Sequence, residues 1–360
     1  MTTSLLSPIR LGFIGAGLMG QAAHLRNYAS LDGCRVVALA ELRPGLGTAA
    51  GRRYGVPKVY TRLDELLARE QGNLDALVCI GPFTHHGTIL PQVLASGLPL
   101  LTEKPMAGSL TIGRQLLDKL RVVGGRWYVG YHKRSDPAVM WARRQIEAWK
   151  ASGEMGALRY VRITMPPGDW IAGGLVGLLQ SDEPYPVIPP DAPPAEMSAE
   201  EFQRFTVFVN YYIHQVNLLR HLLGESYRVS WVDPGGVLLA AKSVSGATAL
   251  IEMDCYHNSI AWQEQALVCF EKGWIRIELP APLTINRPGR VRVYSDPGSG
   301  QEPKCVEPQL PWIDAMRQQA MNFLGAVRQE STPLATAQEA LEDLEIARQW
   351  LDMGHAGGRT

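Results

Sequence analysis

The stretch Ile9-Arg10-Leu11-Gly12-Phe13-Ile14-Gly15-Ala16-Gly17-Leu18-Met19-Gly20 decides the fold. A short continuous apolar run ends in glycines spaced G-x-G-x-x-G, and a segment of helical period follows. The run has the pattern of a strand covered on both faces of a sheet. The first glycine permits a tight turn out of the strand, the second lets backbone approach a pyrophosphate, and the third lets the helix pack on the strand. The N-terminus of that helix offers free N–H groups and a partial positive charge to phosphate oxygens. Such a glycine turn is weak evidence alone, but Glu41 ends the next strand-like run about twenty residues past Gly20, where an acid meets ribose hydroxyls. Together these features predict a dinucleotide site built from Gly15, Ala16, Gly17, Leu18, Met19, Gly20 and Glu41. Glu41 would repel a 2′-phosphate, which favours NAD over NADP. Arg43 lies near enough to join the site, although a lone loop arginine is more often simply solvated.

The same βα unit recurs downstream. Residues 9–15, 35–41, 75–81, 98–104 and 127–133 read as strands, with helices near 18–31, 45–54, 62–70, 84–96 and 109–121. Repeated units of this kind build a doubly wound parallel sheet. Asp136-Pro137 then starts a helix that ends at Gly153. Beyond it the pattern changes: 157–165 alternates like a half-buried strand, and 228–240, 246–256, 260–270 and 273–279 add more strand-like runs. Helices at 312–329 and 336–353 close the chain. The expected fold class is α/β, with a Rossmann domain over 1–135 and an α+β domain over 136–360 that carries a large, mostly antiparallel open sheet. The Pro- and Gly-rich segment 166–198 is irregular, and its length suits a functional lid as well as a plain surface loop.

Composition narrows the function classes. The 360 residues hold 35 Lys+Arg against 35 Asp+Glu, so no net field gathers nucleic acid or an anionic membrane. The five cysteines, Cys34, Cys79, Cys255, Cys269 and Cys305, are scattered, which fits a reducing cytoplasm and indicates no disulfide framework and no metal site. The N-terminal fifteen residues lack the cationic and cleavage features of a secretory leader.

Two further elements bear chemistry. Thr102-Glu103-Lys104-Pro105 ends the fourth of these strand-like runs, on the edge where open α/β sheets bind ligands. A lysine there can bond a substrate hydroxyl and help move its proton as hydride leaves for a nicotinamide. Within FTVFVNYYIHQVNLLRHLLG, Asn210, His214 and Asn217 are spaced i, i+4, i+7 and share one face of a predicted single helix ending at Gly224. Such a polar stripe needs partners, which a substrate or neighbouring core groups can supply.

In order along the chain, GFIGAGLMG, GPFTHH, TEKP, VGYHKRSDPAV and the histidine helix resemble the glucose–fructose oxidoreductase, inositol dehydrogenase and MocA family, from about Ile9 through Gly224. The resemblance implies Lys104 and His214 as catalytic groups, with Tyr131, Arg134, Asn210 and Asn217 on the substrate side. It extends the cofactor set to Gly81, Pro82, Phe83, His86, Glu103 and Lys104. It also implies a homodimer or homotetramer through the C-terminal sheet. Three positions depart from the family pattern: Phe83 replaces an asparagine, and Asn210 and Asn217 replace acids that would orient the histidine. The expected activity is NAD-dependent hydride exchange with a secondary alcohol or ketone of a sugar, cyclitol or sugar derivative. Glycoside cleavage by transient oxidation and a non-redox dinucleotide sensor are the alternatives. Trp170, Tyr185, Tyr211, Tyr212 and Trp262 are candidates to stack on a sugar ring, although aromatics so placed are more often core or surface than substrate wall.

Overall fold

The computed structural model describes residues 7–298 and 300–356, so part of the stretch read against a leader, 1–6, lies outside the described residues. The chain divides into two compact units. The first comprises Met1–Gly130, Gly174–Glu196 and Gln319–Leu341; the second comprises Tyr131–Gly173, Met197–Gln318 and Glu342–Thr360. The sequence alone places 174–196 and 319–341 in the second domain. Apolar periodicity shows which face of a helix is buried but not which core receives it.

In the first unit, strands β1 (Ile9–Ile14), β2 (Cys34–Ala40), β3 (Lys58–Tyr60), β4 (Ala76–Cys79), β5 (Leu100–Glu103) and β6 (Trp127–Gly130) run parallel in the order β6-β5-β4-β1-β2-β3. This is the Rossmann order, with its switch point between β1 and β4. Leu11, Phe13, Leu39, Val78 and Leu101 are buried, as continuous apolar strands covered on both faces require. In this unit the sequence reading misses two short strands, as it misses 290–295 and 304–306 in the second unit. One is β3, only three residues long; the other is β15 (Ala335–Thr336), which adds an antiparallel edge to β6. The helices are α1 (a π-helical turn Gly20–Leu25 continued by Arg26–Tyr28), α2 (Pro44–Tyr54), α3 (Leu63–Arg69), α4 (His86–Leu94) and α5 (Leu110–Val123). Phe323, in the later helix Ala315–Val327, packs edge-on against Tyr28 and Tyr128 at 6.4 and 6.2 Å between ring centres. Those contacts anchor that helix in this core.

The second unit holds α6 (Pro137–Ser152), capped by the Asp136 side chain, and an eight-stranded sheet. Its strands are β7 (Leu158–Met165), β8 (Tyr227–Val232), β9 (Leu238–Ser243), β10 (Thr248–Met253), β11 (Glu264–Phe270), β12 (Gly273–Leu279), β13 (Arg290–Ser295) and β14 (Lys304–Val306). They lie in the order β14-β13-β12-β11-β7-β10-β9-β8, antiparallel except for the β7–β10 pair. Val161, Ile163, Ile251, Val268, Ile275 and Ile277 are buried on one face, while Arg276 and Glu278 alternate outward on β12. The run 228–240 is a hairpin rather than one strand, because Asp233-Pro234-Gly235-Gly236 turns the chain inside it. The predicted single histidine helix is two helices, α7 (Ala199–Tyr211) and α8 (Ile213–Leu223), broken at Tyr212. A capping box between Ser198 and Glu201 starts α7. The closing helix, Ala337–Ala356, spans the boundary between the segments of the two units. No helix among the described residues is long and apolar enough to cross a membrane.

Candidate functional site

The turn after β1 is held open by its own backbone. Gly15 has φ +92°, and a Cβ on it would stand 2.3 Å from the Ile80 carbonyl oxygen. A Cβ on Gly20 would stand 2.1 Å from the Gly15 carbonyl oxygen. Gly17 differs, since the nearest atom to its added Cβ is Arg43 Nη2 at 3.9 Å. The first and third glycines therefore let the chain pass itself, and the second faces open room where a pyrophosphate fits. Leu18 and Met19 are exposed and half-buried, with Ala16 wholly buried.

Glu41 is placed at the end of β2 but is turned into the loop. Its side chain is 3% exposed. Oε2 accepts from the Ala16 N–H at 2.8 Å, and Oε1 accepts from Arg43 N and Nε at 3.2 and 2.8 Å. The acid thus braces the glycine turn, and any ribose hydroxyl has to share an oxygen already bonded there. Arg43 is not the solvated loop charge expected from sequence. It is mostly buried in that pair, with its guanidinium 5.1 Å from the centre of the Tyr185 ring. Tyr185 accordingly lies within the first unit against Arg43, not in a wall of sugar-stacking aromatics.

The other members of the predicted cofactor set line the same carboxyl edge. Gly81 and Phe83 are half-buried and Pro82 is exposed in the turn after β4. His86 is wholly buried, and its Nδ1–H donates to the Met106 carbonyl at 2.9 Å. Burial lowers its pKa, so the ring is neutral and steadies the turn from behind. Glu103 Oε1 meets His24 Nε2 of α1 at 2.7 Å, and Oε2 accepts from the Lys104 N–H at 3.1 Å. Lys104 is half-buried directly beyond β5. His24 gives no signal in the sequence, because it sits on an otherwise apolar helix face.

The second unit contains a cluster around His214. The ring stands edge-on to Tyr131 at 5.9 Å and to His132 at 4.6 Å between centres. Asn217 is wholly buried, and its Nδ2 donates to Asp343 Oδ2 at 2.7 Å. Arg220 donates from Nε and Nη2 to Asp343 Oδ1 at 3.0 and 2.6 Å and also bonds Glu342. Burial raises the Asp343 carboxyl pKa, against the pull of Arg220 and Asn217. Tyr131, buried beside Asp343 and Arg220, has its phenol pushed well up by desolvation. Arg134 Nε donates to His221 Nδ1 at 3.1 Å, in a site so enclosed that desolvation holds His221 neutral.

The break at Tyr212 separates the predicted polar stripe. Asn210 is exposed on α7, His214 is half-buried on α8, and Asn217 is in the core. Asn217 and Arg134 therefore bond to buried protein groups rather than present free edges to a ligand. Beside this cluster, Glu264 bonds Lys133, accepts from Gln215 Nε2 at 2.7 Å and from Trp262 Nε1 at 3.3 Å. That accounts for Trp262. Tyr211 and Tyr212 pack edge-on to each other at 5.0 Å, the Tyr212 hydroxyl accepting from the Asp254 N–H, while Trp170 is 36% exposed.

Contrasting substitutions probe the glycine turn. Gly20→Ala forces backbone to move and should destabilise the fold by about 1–3 kcal/mol. Gly17→Ala meets only Arg43 Nη2, at ordinary contact distance, and should leave folding stability within about 0.5 kcal/mol while weakening dinucleotide binding. Thermal unfolding and calorimetric titration with NAD check both; undiminished NAD affinity in Gly17→Ala would show that this turn does not hold the pyrophosphate.

These features define a Rossmann nucleotide-binding unit joined to an α+β unit with a buried histidine cluster. Residues 9–131 match the model of the GFO_IDH_MocA family, described as an oxidoreductase family with an NAD-binding Rossmann fold. The chain is 26% identical over 218 residues to scyllo-inositol 2-dehydrogenase (NAD(+)) of Bacillus subtilis, covering 60% of this chain and 54% of that protein. It thus matches about half the length of that relative. It is 23% identical to inositol 2-dehydrogenase 2 of Paenarthrobacter aurescens over 98% of both chains. The solved structure of an NAD binding oxidoreductase from Klebsiella pneumoniae shares the fold, with TM-score 0.71, 16% identity and 98% of both chains covered.

Proposed function

We propose that this protein is an NAD-dependent dehydrogenase or reductase acting on a secondary alcohol or ketone of a cyclitol, sugar or sugar derivative. The observation that carries the proposal is the opening at Gly17, with Lys104 at the end of β5 on the same edge of the same sheet. The polyol class is supported by the inositol dehydrogenases among the relatives. The open face of the eight-stranded sheet supports assembly with further copies of the chain.

Bound NAD supplies a hydride acceptor. The Gly15–Gly20 turn and the start of α1 would hold its pyrophosphate through backbone N–H groups. Lys104 Nζ donates to the reacting oxygen and lowers its proton affinity. His214, whose ring orientation is set by packing against Tyr131 and His132, is the second unit's candidate acceptor for the hydroxyl proton. Asn210, the exposed asparagine of α7, bonds a neighbouring hydroxyl.

Incubating the purified chain with NAD and a panel of cyclitols and sugars, with NADH followed by absorbance, tests the reading. Net NADH with a polyol is the expected result. Product without NADH would point to oxidative glycoside cleavage, and NAD binding without turnover across the panel would favour a sensor.

A further inference from the structure

The first unit carries a length of chain that its βα units do not require. Residues 174–196 belong to this unit and bond, as a strap, to the starts of α1, α2 and α4. The Gln21 amide of α1 brackets Leu179, donating from Nε2 to its carbonyl at 3.1 Å and accepting its N–H at 3.0 Å. Farther on, the strap supplies two carboxylates to two helix starts. Helices α2 and α4 begin after Arg43 and His85, neither of which caps its helix with a side chain. Glu183 accepts from the Gly45 and Leu46 N–H groups at 2.9 and 3.0 Å, the service an N-cap side chain would give. Asp191 likewise accepts from the Gly87 N–H at 2.7 Å. At each helix a glycine allows the approach, since an added Cβ would stand 2.8 Å from the carboxylate.

The corner at Glu183 is where nucleotide choice is made in this fold. The adenosine ribose reaches the end of β2, where an acid selects the free hydroxyl and a nearby arginine accommodates a 2′-phosphate. Here the charge of Arg43 is already opposed by an acid: its Nε donates to Glu41, and its face lies on Tyr185. The other positive element at that corner, the start of α2, is filled by Glu183. Those N–H groups and Ser181 hold the Glu183 carboxyl below its ordinary range, so the occupant is an anion.

We propose that Glu183 is a specificity-determining residue that excludes a 2′-phosphate and so makes the chain select NAD over NADP. The inference rests on the reading of the first unit as an NAD holder. An arriving phosphate has to displace a carboxylate bonded to two N–H groups while facing Glu41, whereas a hydroxyl meets neither obstacle. Exclusion here works by repulsion as well as by attraction of the preferred ligand.

The test is calorimetric titration of the full chain with NAD and with NADP. Glu183→Gln, which keeps the shape and removes the charge, should raise NADP affinity about tenfold or more, with NAD affinity nearly unchanged. Retained NAD binding also shows that the variant is folded. Asp191→Asn loosens the strap at α4 and leaves the β2 corner intact, and should bring no such gain. Unchanged NADP affinity in Glu183→Gln overturns the assignment. Equal gains in both variants overturn it too, because strap loosening would then be the cause. If the unaltered chain binds no NAD, the reading of the first unit fails and this inference falls with it; NAD binding without the Glu183 effect sinks the inference alone.

Discussion

Replacing Lys104 with alanine should lower kcat for polyol oxidation by about 10²–10⁴-fold and lower NAD affinity far less. The size follows from the role proposed for the ammonium group, which bonds the reacting oxygen most strongly as negative charge develops there. Its placement is rigid at the backbone: Glu103 accepts from the Lys104 N–H, and the same carboxylate is tied to His24 of α1. Steady-state kinetics separate the possibilities, since loss of an interaction made only in the transition state lowers kcat and kcat/KM together. Lys104→Arg keeps the charge but not the compact ammonium geometry, so it should restore little activity. If turnover survives in Lys104→Ala, the lysine assignment is wrong.

The largest effect on stability is expected in the second unit. Asp343 is 0% exposed at its side chain and Arg220 is 8% exposed, and they are bonded through two guanidinium nitrogens. Arg220→Met leaves a buried carboxylate with only the Asn217 amide among the bonds described above, and should cost about 3–5 kcal/mol. The double variant Arg220→Met/Asp343→Leu should recover most of that loss, because the expensive species is the uncompensated charge and not the missing pair. Urea denaturation read by fluorescence measures both. A loss under about 1 kcal/mol in Arg220→Met would mean that water reaches the pair. The same cluster lies beside Tyr131, which packs against His214, so activity in the double variant reports separately on whether Asp343 orients the histidine.

The Rossmann half was legible because its strands are continuous apolar runs and its glycine turn obeys hard steric limits, as Gly15 and Gly20 show. NAD followed from Glu41, yet the detailed geometry of that acid did not. Sequence spacing puts Glu41 at the end of β2, but only tertiary structure shows its oxygens turned to Ala16 and Arg43. The histidine helix was legible as helical periodicity and misread as one rod, because nothing local in Asn210-Tyr211-Tyr212-Ile213 announces the break. The apparent loss of an acid at Asn217 has a structural answer: a carboxylate enters the same cluster from Asp343, 126 positions away. The strap was visible only as an irregular Pro-rich segment. A signal for its docking existed in the starts of α2 and α4, where Arg43 and His85 stand in place of capping residues and leave N–H groups in search of an acceptor.

Hydride exchange between a polyol carbon and NAD leaves an isotopic trace. The most direct measurement incubates the purified chain with NAD and carbon-deuterated cyclitols and sugars, then analyses the dinucleotide by mass spectrometry. The expected product is reduced NAD carrying a single deuterium, transferred as deuteride from the substrate carbon. Dinucleotide recovered without deuterium, from a chain that binds NAD across the whole polyol set, would contradict it.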